Sequence, residues 1–204
     1  MRKVDPVKHA AKRRQILDAA AELFATKGFD RTTTADISKA SGISAGNLFH
    51  YFASKREIFF AVIIDGEDEK AAQLAQAQER DDVWDALLHV VELLTWPATV
   101  PLGPPLVMEA MLQAYRDPEL AEWLERDQAD EQTAVHALIS RGINSGQLDP
   151  GVEPADAATW VMALVGAFYL QAATDLTFRP DRQASNLRLV LERFLRPQTS
   201  ARYA

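Results

Sequence analysis

Apolar residues recur along most of the chain at intervals of three and four, the period of a helix buried on one side. The first clear run is Ile16, Leu17, Ala20, Leu23 and Phe24, which predicts a helix that stops at Gly28, with Phe29 packing back on it. Ile37 and Ala40 share a face of one short helix, and Leu48 with Phe52 of another. Later stripes are Val83, Trp84, Leu87, Leu88, Val91 and Leu94; Leu106, Met108, Met111, Leu112 and Tyr115; and Leu120, Trp123, Leu124, Ala134, Leu138 and Ile139. From Trp160 to Leu170 the chain is apolar almost all round, so that helix must be covered on several sides. A last stripe holds Leu187, Val190, Leu191 and Phe194. The pattern predicts an all-α chain of about nine helices.

Start and stop residues divide these runs. Thr33 with Asp36 forms a capping box ahead of the first short helix, and Gly42 ends it with a sharp turn. Ser44 is placed to cap the second short helix. Ser54 with Glu57 makes a second box, opening a helix expected to reach about Gln78. Asp81 and Asp82 open the next. Trp96 to Pro105 contains Pro97, Pro101, Pro104 and Pro105 with Gly103, which predicts a loop. Asp117-Pro118 starts a long helix ending near Gly142 to Gly146, Pro154 starts another, and the last is expected from about Arg182 to Leu195. Two short helices joined by a tight turn, with a third helix beginning at once, form a helix-turn-helix, a unit that places its second helix in a DNA major groove.

Charge sharpens this picture. The formal net charge of -7 suits DNA poorly until it is divided. Residues 1–60 hold 11 Lys or Arg against 6 Asp or Glu, a balance of +5, and the remainder holds 11 against 23, a balance of -12. The positive field therefore coincides with the helix-turn-helix. Arg2, Lys3, Lys8, Lys12, Arg13 and Arg14 form a basic arm before the first stripe. At 204 residues without cysteine, the chain can bury a core and uses neither disulfides nor thiolate metal sites. No 18-residue apolar run and no signal-peptide pattern is read, which predicts a cytoplasmic protein with no membrane partner.

Residues 12–64 resemble the TetR family of transcriptional regulators. The resemblance is carried by Arg14-Gln15-Ile16-Leu17-Asp18-Ala19-Ala20, Leu23-Phe24, Lys27-Gly28-Phe29, Asp36-Ile37, Gly42-Ile43-Ser44, Gly46-Asn47-Leu48, Tyr51-Phe52 and Ser54-Lys55. It implies an N-terminal DNA-binding domain of three helices and a larger helical domain for ligand binding and dimerisation. The expected boundary puts 1–53 in the first and 54–204 in the second, the helix from Ser54 serving as connector. It also implies a homodimer, a double-stranded and palindromic operator, and a small-molecule inducer. Repression is the commoner mode in the family. Phe49 departs from the pattern, standing where relatives commonly have a tyrosine whose hydroxyl meets a DNA phosphate.

Candidate roles follow for single residues. Ala45, Gly46 and Asn47 lead the recognition helix, where small residues admit base edges; Asn47 pairs with an adenine edge or completes its own cap. Thr33, Ser44 and Lys55 are assigned to phosphate, and His50 and Tyr51 to phosphate or sugar, with Phe49 among them. Trp84, Met108, Met111, Tyr115, Trp123, Phe168 and Tyr169 are the pocket candidates, soft and amphipathic side chains suited to an apolar ligand. Glu109, Gln113, His89 and His136 are further polar candidates. Trp160, Ala163, Gly166, Ala167, Leu170, Leu187, Val190, Leu191 and Phe194 are the candidates for pairing with a second copy. No metal site, cofactor motif or nucleophile elbow is read, so the chain is not expected to be an enzyme. Two alternatives stay open: a ligand-binding protein of this fold acting through a protein partner, and a ligand-dependent activator.

Overall fold

The computed structural model describes residues 6–196, so Arg2 and Lys3 of the basic arm lie outside the described residues. Ten α-helices follow one another: α1 Pro6–Lys27, α2 Thr34–Ser41, α3 Ala45–Leu48, α4 Lys55–Ile63, α5 Glu67–Gln78, α6 Val83–Thr95, α7 Gly103–Ala114, α8 Pro118–Asn144, α9 Pro154–Thr174 and α10 Pro180–Leu195. A 3-10 turn occupies Trp96–Thr99, and no strand occurs among the described residues. The capping signal at Asp82 marks a real start, accepting the Asp85 N–H at 3.0 Å, and ahead of Pro154 the structure adds a cap, Glu153, which accepts the N–H groups of Ala155 and Asp156.

Two expectations need correction. The helix from Ser54 does not run unbroken to Gln78. Asp65 N–H bonds to the carbonyl of Val62, three residues back, and Gly66 follows at φ 90°, so α4 and α5 are separate helices. The proline-rich segment is not all loop. Pro104 and Pro105 sit in the first turn of α7, where an amide would lack an intrahelical partner in any case. By length and composition α9 reaches a mean hydropathy of 1.3, but Asp156, Thr159 and Gln171 interrupt it, so it holds no continuous apolar run of 18 residues.

Packing divides the chain into two compact units. The described residues up to Asp65 group with Pro101–Ala121, and Gly66–Val100 groups with the described residues from Glu122 onward. Residues 54–65 and 101–121, expected in the larger domain, thus pack with the N-terminal residues. In the first unit the core is Ile16, Leu17, Ala20 and Phe24 of α1, with Ile37, Leu48, Phe52, Ile58 and Phe59. In the second it is Leu87, Val90, Val91 and Leu94 of α6, Val135, Leu138 and Ile139 of α8, Val161 and Val165 of α9, and Leu191 and Leu195 of α10. Each large side chain removed from water stabilises its unit by about 1.5–3 kcal/mol.

Candidate nucleic-acid interface

A four-residue helix has no stability of its own, so α3 depends on what holds it. Leu48 is fully buried and Phe52 nearly so, and turns from Phe49 to Phe52 continue the helical bonding, with Phe52 N–H on the Leu48 carbonyl at 3.1 Å. The turn before α3 is braced on three sides. Gly42 adopts φ 66°, ψ 12°, the left-handed conformation that ends α2. Ser38 Oγ donates to the Ile43 carbonyl at 2.6 Å, and Gln15 Nε2 of α1 donates to the Ser41 carbonyl at 2.7 Å.

This bracing leaves Ser44, Ala45, Gly46, Phe49 and His50 exposed, with Asn47 and Tyr51 half-buried beside them. These seven candidates fall within residues 44–51, interrupted only by the buried Leu48. Ser44 makes no side-chain cap bond, contrary to its expected capping role. The Ser44 hydroxyl is therefore not occupied by the start of α3, where the Asn47 backbone N–H bonds instead to the Ser44 carbonyl at 2.9 Å. Tyr51 stacks on His9 of α1 with ring centroids 4.6 Å apart, and Arg13 lies 5.2 Å over the Phe52 ring.

Thr33 and Lys55 are placed differently. The Thr33 hydroxyl donates to Asp36 Oδ2 at 2.8 Å, and Asp36 N–H returns a bond to Thr33 Oγ at 3.1 Å. The hydroxyl and backbone N–H of Thr33 hold the Asp36 carboxyl below its usual range. Lys55 turns inward. Its Nζ donates to the Phe29 carbonyl at 2.6 Å and lies 4.1 Å over the Phe29 ring. The second capping box is only half formed, because Ser54 accepts the Glu57 N–H while Glu57 accepts from Ala53 rather than Ser54.

Several basic residues are engaged within the unit, which the sequence reading missed. Arg14 bonds Asp18 at 2.7 Å and Asp65 at 2.6 Å. Arg56 makes a two-pronged contact with Asp117, at 2.6 and 2.8 Å, and another with Glu119. That guanidinium holds the Asp117 carboxyl low. No spacing rule links residues 61 positions apart, so the sequence carries no signal for this pairing. Among the described residues, no group of three or more His, Asp or Glu is arranged to hold a metal ion.

Comparison with known proteins settles the affiliation. Residues 16–62 match the family described as bacterial regulatory proteins, tetR family, and residues 106–196 match the BetI-type transcriptional repressor, C-terminal, family. The HTH-type transcriptional regulator YfiR of Bacillus subtilis is 30% identical over 165 residues, covering 79% of this chain and 77% of YfiR. The chain belongs to the TetR family. It is a DNA-binding transcriptional regulator and not an enzyme. Among solved structures, the TetR-family regulator PfmR of Thermus thermophilus aligns with a TM-score of 0.72 at 26% identity, covering 93% of this chain and 98% of PfmR. A Saccharomonospora viridis regulator in complex with choline shares the fold, with a TM-score of 0.80 at 19% identity over 93% of this chain and all of that one.

The candidates outside the TetR head are scattered. Met108, Met111 and Tyr115 lie exposed on α7 in the first unit. Trp84, Trp123, Phe168 and Tyr169 belong to the second. Trp84 packs against that unit's core beneath the Arg196 guanidinium, and Phe168 is buried edge-on to Phe178. The Tyr169 hydroxyl donates to the Leu94 carbonyl at 2.6 Å, and burial pushes its pKa above the ordinary value. An open depression of about 510 Å³ in the first unit is lined by Phe29, Phe59, Phe60, Arg56, Gln113 and Arg116 among others, and by none of the seven pocket candidates. Glu109 and Gln113 bond each other at 2.9 Å; His136 is exposed and His89 half-buried.

The pairing candidates separate cleanly. Trp160, Ala163, Gly166, Ala167 and Leu170 are exposed along one stripe of α9, whose other side buries Ala157, Ala158, Val161, Val165 and Phe168. Val190 is exposed on α10, whereas Leu187 and Phe194 are half-buried against the core. Leu191 is fully buried in its own chain and is unavailable to a partner, which corrects its assignment.

Proposed function

We propose that this TetR-family chain is a homodimeric repressor that binds a palindromic operator through residues 44–51 and leaves it when a small-molecule inducer binds. The observation that carries this reading is the exposed, braced segment Ser44 to Tyr51 on a unit whose sequence is net positive. In this arrangement Asn47 reads a base edge, and Ser44 and His50 meet phosphate or sugar. Ala45 and Gly46 let the segment lie close to the bases. The first compact unit acts as the DNA-binding part, and the second carries ligand binding and dimerisation.

The exposed stripe Trp160, Ala163, Gly166, Ala167 and Leu170, with Val190, supports pairing with a second copy. Small residues let two helices approach closely, and Trp160 supplies a large anchor at the end of the stripe. Two copies would present two recognition segments about one DNA turn, roughly 34 Å, apart. An inducer acts by binding one arrangement of the chain better than the other, by about 1.4 kcal/mol for each tenfold loss of operator affinity. The break at residues 64–66, between α4 and α5, is where we place the resulting change in head orientation.

Footprinting on DNA from upstream of the chain's own gene tests this reading. Two protected half-sites of inverted sequence, centred roughly 10 base pairs or a multiple apart, are expected. A single protected half-site saturated by one chain would contradict it.

A further inference from the structure

Phe29 is gripped from several directions at once. Gly28, at φ 81°, ends α1 with its N–H on the Phe24 carbonyl at 3.0 Å. The next amide, that of Phe29, donates at 3.0 Å to Oε1 of Glu109, a residue of α7 eighty positions later. The carbonyl of Phe29 accepts Lys55 Nζ of α4 at 2.6 Å and the Thr32 N–H at 3.2 Å. Its ring meets Phe24 and Phe59 with centroids 5.8 and 5.0 Å away. One residue, through its two backbone polar groups and its ring, thus joins α1, α4 and α7.

The chain between this point and α2 is short and fully tied. Thr32 is buried, with its hydroxyl on the Gly28 carbonyl at 2.8 Å, and Thr33 is already the cap of α2. Wherever Phe29 is held, the start of α2 is held also, and α2 leads directly into the turn that carries the recognition segment.

The residue chosen for the task argues for a specific role. A carboxylate at the C-terminal end of a helix faces the negative end of its dipole, so packing alone would favour an apolar side chain there. Glu109 is instead oriented as an acceptor. Gln113, itself buried, donates to the same Oε1 at 2.9 Å. Gly28 leaves the room required, since a Cβ there would stand 3.2 Å from Oε2.

We propose that Glu109 is a positioning residue for DNA recognition, fixing the turn between α1 and α2 through the Phe29 amide and thereby the presentation of residues 44–51. This rests on the reading of the first unit as the DNA-binding part.

The test compares Glu109→Leu and Glu109→Gln with the wild-type chain in two measurements. In amide hydrogen exchange without DNA, Glu109→Leu is expected to speed exchange at Phe29 and Thr32 by about tenfold, the loss of one hydrogen bond, and to leave α9 unchanged. In DNA binding, it is expected to lower the preference for the upstream fragment over a scrambled one by about five- to tenfold. Glu109→Gln keeps the acceptor oxygen and restores both to within about twofold. Unchanged exchange at Phe29 in Glu109→Leu overturns the proposal. So does an unchanged DNA preference despite faster exchange, or a Gln variant as impaired as the Leu variant. A wild-type chain with no preference for either fragment would sink the DNA reading instead, and the exchange result would still decide whether Glu109 holds the turn.

Discussion

Asn47 and Lys55 show how differently two residues of one motif are used. Asn47 stands half-buried in an exposed segment, with no cap bond at its helix start. Replacing it with alanine is expected to cost about 1–3 kcal/mol on the best operator and to relax base preference at one position; equal losses on operator and scrambled DNA would remove its base-reading role. Lys55 carries a charge at a helix start, which suggested phosphate from the sequence. Its ammonium is bonded to the Phe29 carbonyl and stacked on the ring. Lys55→Ala is therefore expected to lower stability by about 1–2 kcal/mol. The slope of log affinity against log salt should change by well under one unit. A loss of about a full unit would return Lys55 to the phosphate contacts. Residue type and spacing located both positions, but the direction of the Lys55 side chain depends on a ring 26 residues away and has no local signature.

At the scale of helices, capping residues and apolar spacing were legible where their partners were close in sequence. The Thr33–Asp36 box, Gly42, the Asp82 cap and the buried pair Leu48 and Phe52 all follow from neighbours within four positions. The break at residues 64–66 was missed because Ile63, Ile64 and Gly66 do not exclude a helix by propensity alone. Long-range charge was also out of reach. Lys70 of α5 lies 2.6 Å from Asp127 and 2.8 Å from Glu131, both of α8, and 3.1 Å from Glu67. Three carboxylates around one lysine leave surplus negative charge in a partly buried place. Burial, with a bond to Asp127, pushes Glu67 up to about 7 from an ordinary 4.5. The folded chain therefore holds a proton that the unfolded chain releases across that window. The stability contributed is full below pH 4.5 and is lost as the pH rises through about 7. Glu67→Gln keeps the neutral form, so it should melt at a higher temperature than wild type at pH 8 and at nearly the same temperature at pH 5. A difference in melting temperature that does not change with pH would contradict the titration of Glu67.

For the whole molecule, the division of charge and the one-sided burial of α9 carry the account. The balance of +5 in residues 1–60 against -12 in the rest gives the chain a preferred end for DNA. The apolar run of α9 and its small residues were legible, but the buried place of Leu191 on α10 was not, because it depends on packing against helices distant in sequence. The five α9 candidates, Trp160, Ala163, Gly166, Ala167 and Leu170, do lie on its exposed stripe. Trp160→Glu is expected to shift the chain from dimer to monomer in sedimentation at micromolar concentration while leaving helix content unchanged; a dimer that persists would place the interface elsewhere. The measurement that tests the central claim most directly is fluorescence anisotropy of the purified chain on DNA from upstream of its own gene, beside a scrambled fragment at moderate salt. The account predicts affinity for the native fragment at least about a thousandfold tighter, saturating at an even number of chains. Equal binding to both fragments, or none to either at low salt, would contradict sequence-specific regulation through this DNA.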